Sequence, residues 1–226
     1  MTARVAFLQH SPSDLPGVLG QRALQLGLAT RTYRADHGPP GLPPPDSFDL
    51  LVVMGSAEST TDRSLAWIDA ERQLVAGAVA ADVPVLGVCF GAQLLAQVLG
   101  AEVTRAIRPE IGWLEVDTDD EDRVPPGPWL AWHEDAFTAP PGADMVARSD
   151  TSNHAYILGV HAGVQFHPEV TEEIVRRWVG EARADARLEP SQAEDLLTGF
   201  DTDGRGPDDQ AHRLFDGYLE RAGVPI

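Results

Sequence analysis

The hydrophobic residues in the first hundred positions form short unbroken runs, separated by segments in which they recur at helical spacing. The runs at residues 5–8, 50–54 and 85–88 are typical of strands in a parallel sheet that is covered on both faces. A further short strand is predicted at residues 31–34, and helices are predicted over residues 18–28, 65–79 and 94–99. This alternation predicts a doubly wound α/β fold with a mostly parallel sheet.

After residue 100 the apolar pieces become shorter and richer in β-formers. They lie at residues 102–104, 113–116, 129–132, 145–147, 155–158 and 164–166. We expect these pieces to be extra strands that extend or cap the sheet.

The C-terminal part of the chain begins with a helical pattern at residues 172–183 and then becomes polar and acidic. Short helical patterns recur near Leu196 and at residues 214–219. We therefore predict a domain at residues 1–187 and an acidic, partly helical extension at residues 188–226. The sequence leaves open whether this extension packs on the domain or meets a partner.

Composition excludes several classes of function. The 226 residues carry 17 Arg and no Lys against 35 Asp and Glu, a net charge of −18. This charge opposes binding to nucleic acid or to an anionic membrane, and the lack of lysine excludes Schiff-base and P-loop chemistry. The most hydrophobic window, residues 74–100, is interrupted by Asp82 and Pro84, and the N-terminal apolar run is too short for a signal peptide. We expect a cytoplasmic protein.

No metal ion or cofactor is expected. The acidic run at residues 117–122 is typical of a solvated hairpin end. The segment from Asp201 to Gly204 resembles the middle of a calcium loop, but Gly199 and Gln210 would occupy its first and last ligand positions. A single cysteine also excludes an internal disulfide and a cysteine-rich zinc site.

That cysteine, Cys89, lies where a predicted strand turns directly into a helix. Gly87 and Gly91 flank it, and they remove the side chains that would collide at so sharp a turn. The turn puts the sulfur at the positive end of the helix, which favours the thiolate. A lone cysteine is commonly just a small buried hydrophobe, but the two glycines favour a nucleophile.

A candidate base follows an extended run near residue 164. His167 and Glu169 are two positions apart, so in an extended chain they project to the same side and the carboxylate can orient the imidazole. Pro168 keeps this stretch extended. A histidine in a strand is by itself often only a packed or exposed residue. The sequence His-Pro-Glu at the end of a strand, together with a cysteine at a strand-to-helix turn (a nucleophile elbow), is a more specific indication of a catalytic base.

Over residues 4–180 the chain resembles the class I glutamine amidotransferases, in particular stand-alone proteins similar to the amidotransferase half of GMP synthase. The matching residues are Gly87-Val-Cys89-Phe-Gly91-Ala-Gln93 and Gln165-Phe-His167-Pro-Glu169-Val, supported by Val53-Met-Gly55-Ser56 and Trp132-His133-Glu134-Asp135. The resemblance implies a flavodoxin-like fold with extra β-strands. It also implies a triad of Cys89, His167 and Glu169 that hydrolyses the side-chain amide of glutamine through a thioester, without a cofactor.

The strand-to-helix turn at Cys89 predicts that the backbone N–H of Phe90 is one hydrogen-bond donor to the oxyanion. The resemblance places the other donor in the turn at Gly55 and Ser56, where the family usually has Gly-Gly-Pro. If this turn needs a positive φ at Ser56, the serine is strained. The resemblance also puts Gln93 and the backbone near Glu134 and Asp135 around the backbone groups of glutamine, although Gln93 could equally be a polar residue of the first helical turn.

The remaining histidines are assigned weaker roles. We expect His133 to line the pocket, and the others to be surface or loop residues: His10, His37, His154, His161 and His212. The segment from Arg108 to Trp113 is expected at the start of a strand near the site, without a chemical role.

Three functions stay open at this point. The first is a glutaminase that passes ammonia to an acceptor or a partner synthase. The second is a γ-glutamyl hydrolase that acts on γ-glutamyl peptides or amines. The third is a non-catalytic regulatory or binding module that keeps the fold.

Overall fold

The computed structural model describes residues 2–44, 46–185, 188–200 and 208–226. Its strands are β1 (Arg4–Gln9), β2 (Ala29–Arg34), β3 (Leu50–Val53), β4 (Val85–Val88), β5 (Val103–Leu114), β6 (Asp117–Thr118), β7 (Trp129–Phe137), β8 (Asp144–Arg148), β9 (Asn153–Leu158) and β10 (His161–Val164). Its helices are α1 (Gly17–Gln25), α2 (Ala66–Ala80), α3 (Phe90–Val98), α4 (Glu172–Ala184), α5 (Pro190–Leu197) and α6 (Asp208–Arg221), with single 3-10 turns at Ala35–His37 and Pro39–Gly41.

The main sheet has eight strands in the order β2-β1-β3-β4-β10-β9-β8-β6. The first five are mutually parallel. Consecutive residues of β3 enter opposite cores: Leu50 and Val52 face the side of α1 and α6, whereas Leu51 and Val53 face the side of α2 and α3. Burial on both faces explains the unbroken apolar run, and it confirms the predicted doubly wound fold.

The extra strands form two groups. Strands β9, β8 and β6 extend the main sheet in antiparallel fashion beyond β10, as expected. Strands β5 and β7 instead pair with each other in a separate two-stranded sheet. Strands β5 and β7 thus form a second, smaller sheet in addition to the main one.

Two predicted boundaries in this region are wrong. The two short strands expected at residues 102–104 and 113–116 are the ends of one long strand, β5, which also contains the segment from Arg108 to Trp113. The pattern failed because the middle of β5 is largely exposed and mixes charged and apolar side chains, including the exposed Ile107, and because its register with β7 shifts between Arg105 and Glu110. The strand expected at residues 164–166 begins earlier and ends at Val164.

The described residues of the C-terminal extension pack against the rest of the chain. Leu214, Phe215 and Leu219 of α6 are buried in the core on the α1 side, while Leu196 of α5 joins a third core with α4. The guanidinium of Arg22 in α1 donates two hydrogen bonds to the carboxylate of Asp216 in α6. The boundary at residue 187 stays a prediction, and the segment from Asp201 to Gly204 lies outside the described residues.

None of the helices in the described part of the chain combines the length and the apolar composition needed to cross a bilayer.

Candidate active site

Cys89 occupies the sharp turn between β4 and α3. Its backbone has φ 49° and ψ −106°, a conformation that is unfavourable for a residue with a side chain. A Cβ atom built at Gly91 would lie 2.1 Å from the carbonyl oxygen of Val53, and one at Gly87 would lie 2.5 Å from the backbone of Gly91. Only glycines fit at these two positions, so the chain can hold Cys89 at the N-terminus of α3.

His167 and Glu169 form a buried pair two residues apart. The Nδ1 atom of His167 lies 2.8 Å from Oε1 of Glu169, and the backbone N–H of His167 donates to the carbonyl of Leu130 at 2.8 Å. The indole of Trp178 packs edge-on against the imidazole, with 4.9 Å between ring centroids. Carboxylate, backbone and indole together fix the plane of the imidazole ring.

The electrostatics of this pair favour a protonated imidazole. Burial acts to lower the pKa of His167, but the charges of Glu169 and Cys89 and its hydrogen bonds outweigh burial and raise it well above the usual value. Since Glu169 occupies Nδ1, the other nitrogen, Nε2, is available to exchange a proton with the sulfur.

Gly55 is the place where the cysteine and the histidine meet. A Cβ atom built on Gly55 would lie 2.9 Å from Cε1 of His167 and 3.7 Å from Cβ of Cys89. The loop after β3 therefore lies next to both side chains, and a side chain at this position would press on the imidazole.

The side-chain amides of Gln165 and Gln93 form a chain of hydrogen bonds from Sγ of Cys89 to the carbonyl oxygen of Asp135 in β7. The side-chain amide of Gln165 donates to Sγ of Cys89 at 3.5 Å, and the thiol lies 3.8 Å from the carbonyl oxygen of Trp132. Gln93 donates to Gln165 Oε1 at 3.2 Å and to the carbonyl oxygen of Asp135 at 3.1 Å. The amide of Gln93 thus supports the site. Gln165 had no predicted role, although it lies in the segment Gln165-Phe-His167-Pro-Glu169.

A cavity of about 210 Å³, here called the Cys89 pocket, opens beside the sulfur. Five of the other predicted site residues line it: Ser56, Phe90, Gln93, Glu134 and Asp135. Arg105, which the sequence analysis missed, also lines the pocket and pairs with the carboxylates of Glu134 and Asp135. The pocket therefore offers both charge signs, as the ammonium and carboxylate groups of an amino acid require.

A second cavity of about 160 Å³, here called the His167 pocket, is lined by the imidazole and shares Ser56, Ala57 and Trp132 with the Cys89 pocket. Gly55, the remaining predicted site residue, lines it together with Ser11, Asp14, Ser56, Ala57, Trp132, His167, Trp178, Glu181 and Ala182. Burial raises the pKa of Asp14, although a hydrogen bond from Ser11 opposes this effect. This pocket combines two indole walls with two carboxyl groups.

The buried pair of His10 and Glu71 supports the turn at Gly55 and Ser56. Nδ1 of His10 donates to the carbonyl oxygen of Gly55 at 2.7 Å, and Nε2 of His10 contacts both carboxylate oxygens of Glu71 at 3.0 and 3.1 Å. Burial acts to lower the pKa of His10, but the charge of Glu71 raises it overall. Ser56 does not adopt a positive φ, so the strain considered for this serine does not arise.

Comparison with known proteins agrees with this geometry. A sequence model described as glutamine amidotransferase class-I matches residues 18–176. The chain belongs to the class I glutamine amidotransferase family. The resemblance inferred from its motifs is thereby confirmed.

Relatives of this amidotransferase include proteins named as subunits of glutamine-hydrolyzing GMP synthases. The one from Ignicoccus hospitalis is 35% identical over 148 residues, which cover 61% of this chain and 77% of the relative. The one from Sulfurisphaera tokodaii is 38% identical over 96 residues, which cover 38% of this chain and only 51% of the relative. In the GMP synthase of Synechococcus the match spans 19% of the protein.

Solved structures share the whole fold of this amidotransferase. The crystal structure of a glutamine amidotransferase from Methylobacillus flagellatus has a TM-score of 0.85 and 28% identity, and the superposition covers 97% of this chain and 95% of that one. A glutamine amidotransferase from Thermotoga maritima, at 24% identity, superposes with a TM-score of 0.84 over 98% of each chain. The second likeness concerns the fold alone.

Two histidines expected on the surface or in loops, His154 and His161, lie instead in buried strands, and His10 lies in the loop after β1 but is buried as well. His10, His154 and His161 are all buried, with at most 6% of their surface exposed. His10 reaches Glu71, and His154 reaches Glu110 at 3.1 Å, so distant carboxylates offset the burial of two of these rings. Burial lowers the pKa of His161.

His133 lines the Cys89 pocket as expected, but its ring is turned toward the carboxylate of Glu110. Its Nε2 atom lies 3.1 Å from Oε2 of Glu110, the same oxygen that His154 approaches. Burial acts to raise the pKa of Glu110, but its contacts with the two imidazoles and with Ser149 bring it well below its usual value. Glu110, which had no predicted role, thus stays ionised beside two imidazoles.

Proposed function

We propose that this chain hydrolyses the side-chain amide of L-glutamine through a γ-glutamyl thioester on Cys89. The observation that carries the proposal is the meeting of the Cys89 side chain and the His167–Glu169 pair at Gly55, on the edge of a pocket with both charge signs. Membership of the class I amidotransferase family supports the same reaction.

In the proposed reaction, Nε2 of His167 takes the thiol proton and the thiolate attacks the carboxamide carbon of glutamine. The oxyanion accepts hydrogen bonds from the N–H of Phe90, which has no partner within its own helix, and from the turn at Gly55 and Ser56. The C–N bond then breaks and ammonia leaves with the proton from His167.

The second half of the reaction uses the same groups. His167 takes a proton from water, the resulting hydroxide attacks the thioester, and the C–S bond breaks to release glutamate. The proton returns to the sulfur. Glu169 orients the imidazole and stabilises its positive charge in both halves.

Recognition of glutamine would use the charged rim of the Cys89 pocket. Arg105 would bind the α-carboxylate, and Glu134 and Asp135 would bind the α-ammonium group, with the substrate replacing part of the ion pairing among these three residues. Ser59 fixes the Asp135 carboxylate by donating a hydrogen bond of 2.5 Å.

A second candidate function is the hydrolysis of γ-glutamyl amines. The His167 pocket is lined by the imidazole and shares Ser56, Ala57 and Trp132 with the Cys89 pocket, so a leaving group larger than ammonia could extend into it. Its indole walls from Trp132 and Trp178 and its carboxyl groups from Asp14 and Glu181 suit an aliphatic chain that ends in an ammonium group. This observation keeps the γ-glutamyl alternative open.

The fate of the ammonia is part of the proposal. Because relatives are named as GMP synthase subunits, we propose a partner synthase that consumes it, while the acceptor itself stays open. The reaction needs a reduced thiol, so we also propose a reducing compartment such as the cytoplasm.

Steady-state assays of glutamate and ammonia formation test the proposal. Free glutamine is compared with γ-glutamyl amines and peptides of graded length, and each is run with wild type and Cys89→Ala. Equimolar glutamate and ammonia from glutamine, lost in the variant, is the expected result. A preference for a γ-glutamyl amine would favour the second candidate, and no turnover of any compound would favour a non-catalytic module.

A further inference from the structure

Three side chains outside the proposed catalytic group converge on one point between the two sheets. Glu110 on β5 and His133 on β7 are opposite each other across the small sheet, and His154 reaches them from β9 of the main sheet. Their donor atoms, Oε2 of the glutamate and Nε2 of each histidine, all lie within 4.8 Å of one another. The two imidazoles are essentially buried, with 1% and 0% of their side chains exposed.

The hydrogen bonding of His133 leaves one of its nitrogens aimed at this point. Nδ1 lies 3.0 Å from the backbone carbonyl oxygen of Asp135, which can only accept, so Nδ1 carries the proton. In the neutral ring Nε2 then presents a lone pair, and this buried atom makes no hydrogen bond although Glu110 is close. This buried nitrogen and the carboxylate oxygen beside it are directed at the same point, which is where a bound cation would contact both.

The distances fit a small divalent ion. Donors bound at about 2.0–2.1 Å to a tetrahedral Zn²⁺ are themselves about 3.3 Å apart. Oε2 of Glu110 lies 3.1 Å from each of the two Nε2 atoms. Two of the three donor–donor distances are thus close to the tetrahedral value, and the two Nε2 atoms lie within 4.8 Å of each other.

The surrounding contacts are those that support metal ligands. A ligating histidine usually donates its second ring N–H to a backbone carbonyl, as His133 does to Asp135. The second carboxylate oxygen of Glu110 accepts a hydrogen bond of 2.7 Å from Ser149. Both contacts would orient the ligands before the ion arrives.

We propose that Glu110, His133 and His154 form a binding site for a divalent transition-metal ion of the zinc type. Two imidazoles and one carboxylate are a donor set that suits Zn²⁺ and its first-row neighbours and discriminates against Ca²⁺ and Mg²⁺. The ion would connect the small sheet to the main one. It would also fix the strand that carries Glu134 and Asp135 into the Cys89 pocket.

The site does not depend on the proposed hydrolysis of glutamine, because Cys89 and His167 contribute nothing to it. The role that follows from its burial is structural. Metal binding should therefore survive the loss of the catalytic thiol.

The full chain, freed of metal with a chelator, is titrated with Zn²⁺ by calorimetry and with Co²⁺ by visible spectroscopy. Wild type and Cys89→Ala should each bind one ion per chain, with imidazole-type cobalt bands and a raised thermal midpoint. The Cys89→Ala variant excludes binding by the thiolate and its neighbouring imidazole.

His154→Gln is the decisive variant. Its amide can still donate to Glu110 and so preserve a simple hydrogen-bond network, but a ligand is lost, and the Kd for Zn²⁺ should rise by more than about tenfold. His37→Gln, at an exposed histidine, is the matched control and should bind as wild type does. Absence of binding by wild type, loss of binding in Cys89→Ala, or an unchanged Kd in His154→Gln would each overturn the proposal, and the wild-type result does not depend on how the variants fold.

Discussion

Substituting Gly55 by alanine should impair the reaction far more than the fold. The added Cβ would lie 2.9 Å from Cε1 of His167, about half an ångström inside an ordinary contact. The ring cannot simply retreat, because Glu169 holds Nδ1 at 2.8 Å and Trp178 packs against it. The substitution therefore forces the imidazole out of line with the sulfur or loosens its bond to the carboxylate.

The expected size of the effect follows from this displacement. A misplacement of about 1 Å in an active site costs about a hundredfold in rate, so we expect Gly55→Ala to lower kcat by about ten- to a hundredfold. Overpacking at one methyl group should reduce the free energy of unfolding by about 1–2 kcal/mol. Glutaminase kinetics, the rate of Cys89 alkylation and urea unfolding would measure these effects.

Two other glycines provide controls for this experiment. A Cβ at Gly77, within α2, would meet nothing within 4 Å, so Gly77→Ala should leave kcat unchanged and stabilise the helix by about 0.5–1 kcal/mol. Gly91→Ala would place its Cβ 2.1 Å from a backbone oxygen and should chiefly destabilise the fold. If Gly55→Ala kept kcat within about twofold of wild type, the proposed geometry at His167 would be refuted.

Three further predictions concern charges around the two pockets. Glu169→Gln should lower kcat by about 10³–10⁴-fold and lower the pKa of His167, measured by NMR. Because the pKa of His167 is raised in the folded state, protonation of this histidine stabilises the fold fully below its ordinary pKa of 6.5, and the effect is lost as the pH rises through the folded-state pKa. The difference in free energy of unfolding between wild type and Glu169→Gln should therefore shrink over that range. A difference that stays constant with pH would contradict the assignment. Glu71→Gln leaves buried His10 without its counter-charge and should lower the free energy of unfolding by about 3 kcal/mol, whereas an unchanged urea midpoint would argue against the ion pair. Arg105→Met should raise KM for glutamine about tenfold with kcat nearly constant, and a loss confined to kcat would exclude the proposed carboxylate contact.

The sequence could predict those parts of the fold whose burial or turn geometry is visible in the residue types of the segment itself. The run at Leu50–Val53 is apolar at every position because both of its faces are covered, and that pattern is visible without any partner. The elbow is also marked in the sequence, because Gly87 and Gly91 flank the cysteine; the contact that requires Gly87 is local, with the backbone of Gly91, whereas Gly91 is required by the carbonyl of Val53 on β3. These signals located the parallel strands of the main sheet, although not the bounds of β10.

The long strand β5 could not be recognised in this way. Its central residues are largely exposed and mix charged with apolar side chains, and among the described strands its partner is β7, so neither alternation nor an apolar run marks it. The two ends, which have apolar residues, looked like separate strands. Pairing with a distant segment decided the structure there.

The buried histidines show the same limit within the site. His10 is buried because Glu71, 61 positions later, offsets its charge, and His154 is paired with Glu110, 44 positions earlier. By contrast, His167 and Glu169 are two positions apart, and this pair could be inferred from the extended chain alone. Polar groups whose partners are distant in sequence carry no local signal of their burial.

The central claim, that Cys89 is the nucleophile and that His167 activates it, is tested most directly by a glutamine-like chloroketone. Peptide mass spectrometry after treatment should find one covalent label per chain on Cys89, formed more slowly when free glutamine is present and much more slowly in His167→Ala. A label on any other residue, or labelling of Cys89 that neither glutamine nor the loss of His167 affects, would contradict the claim.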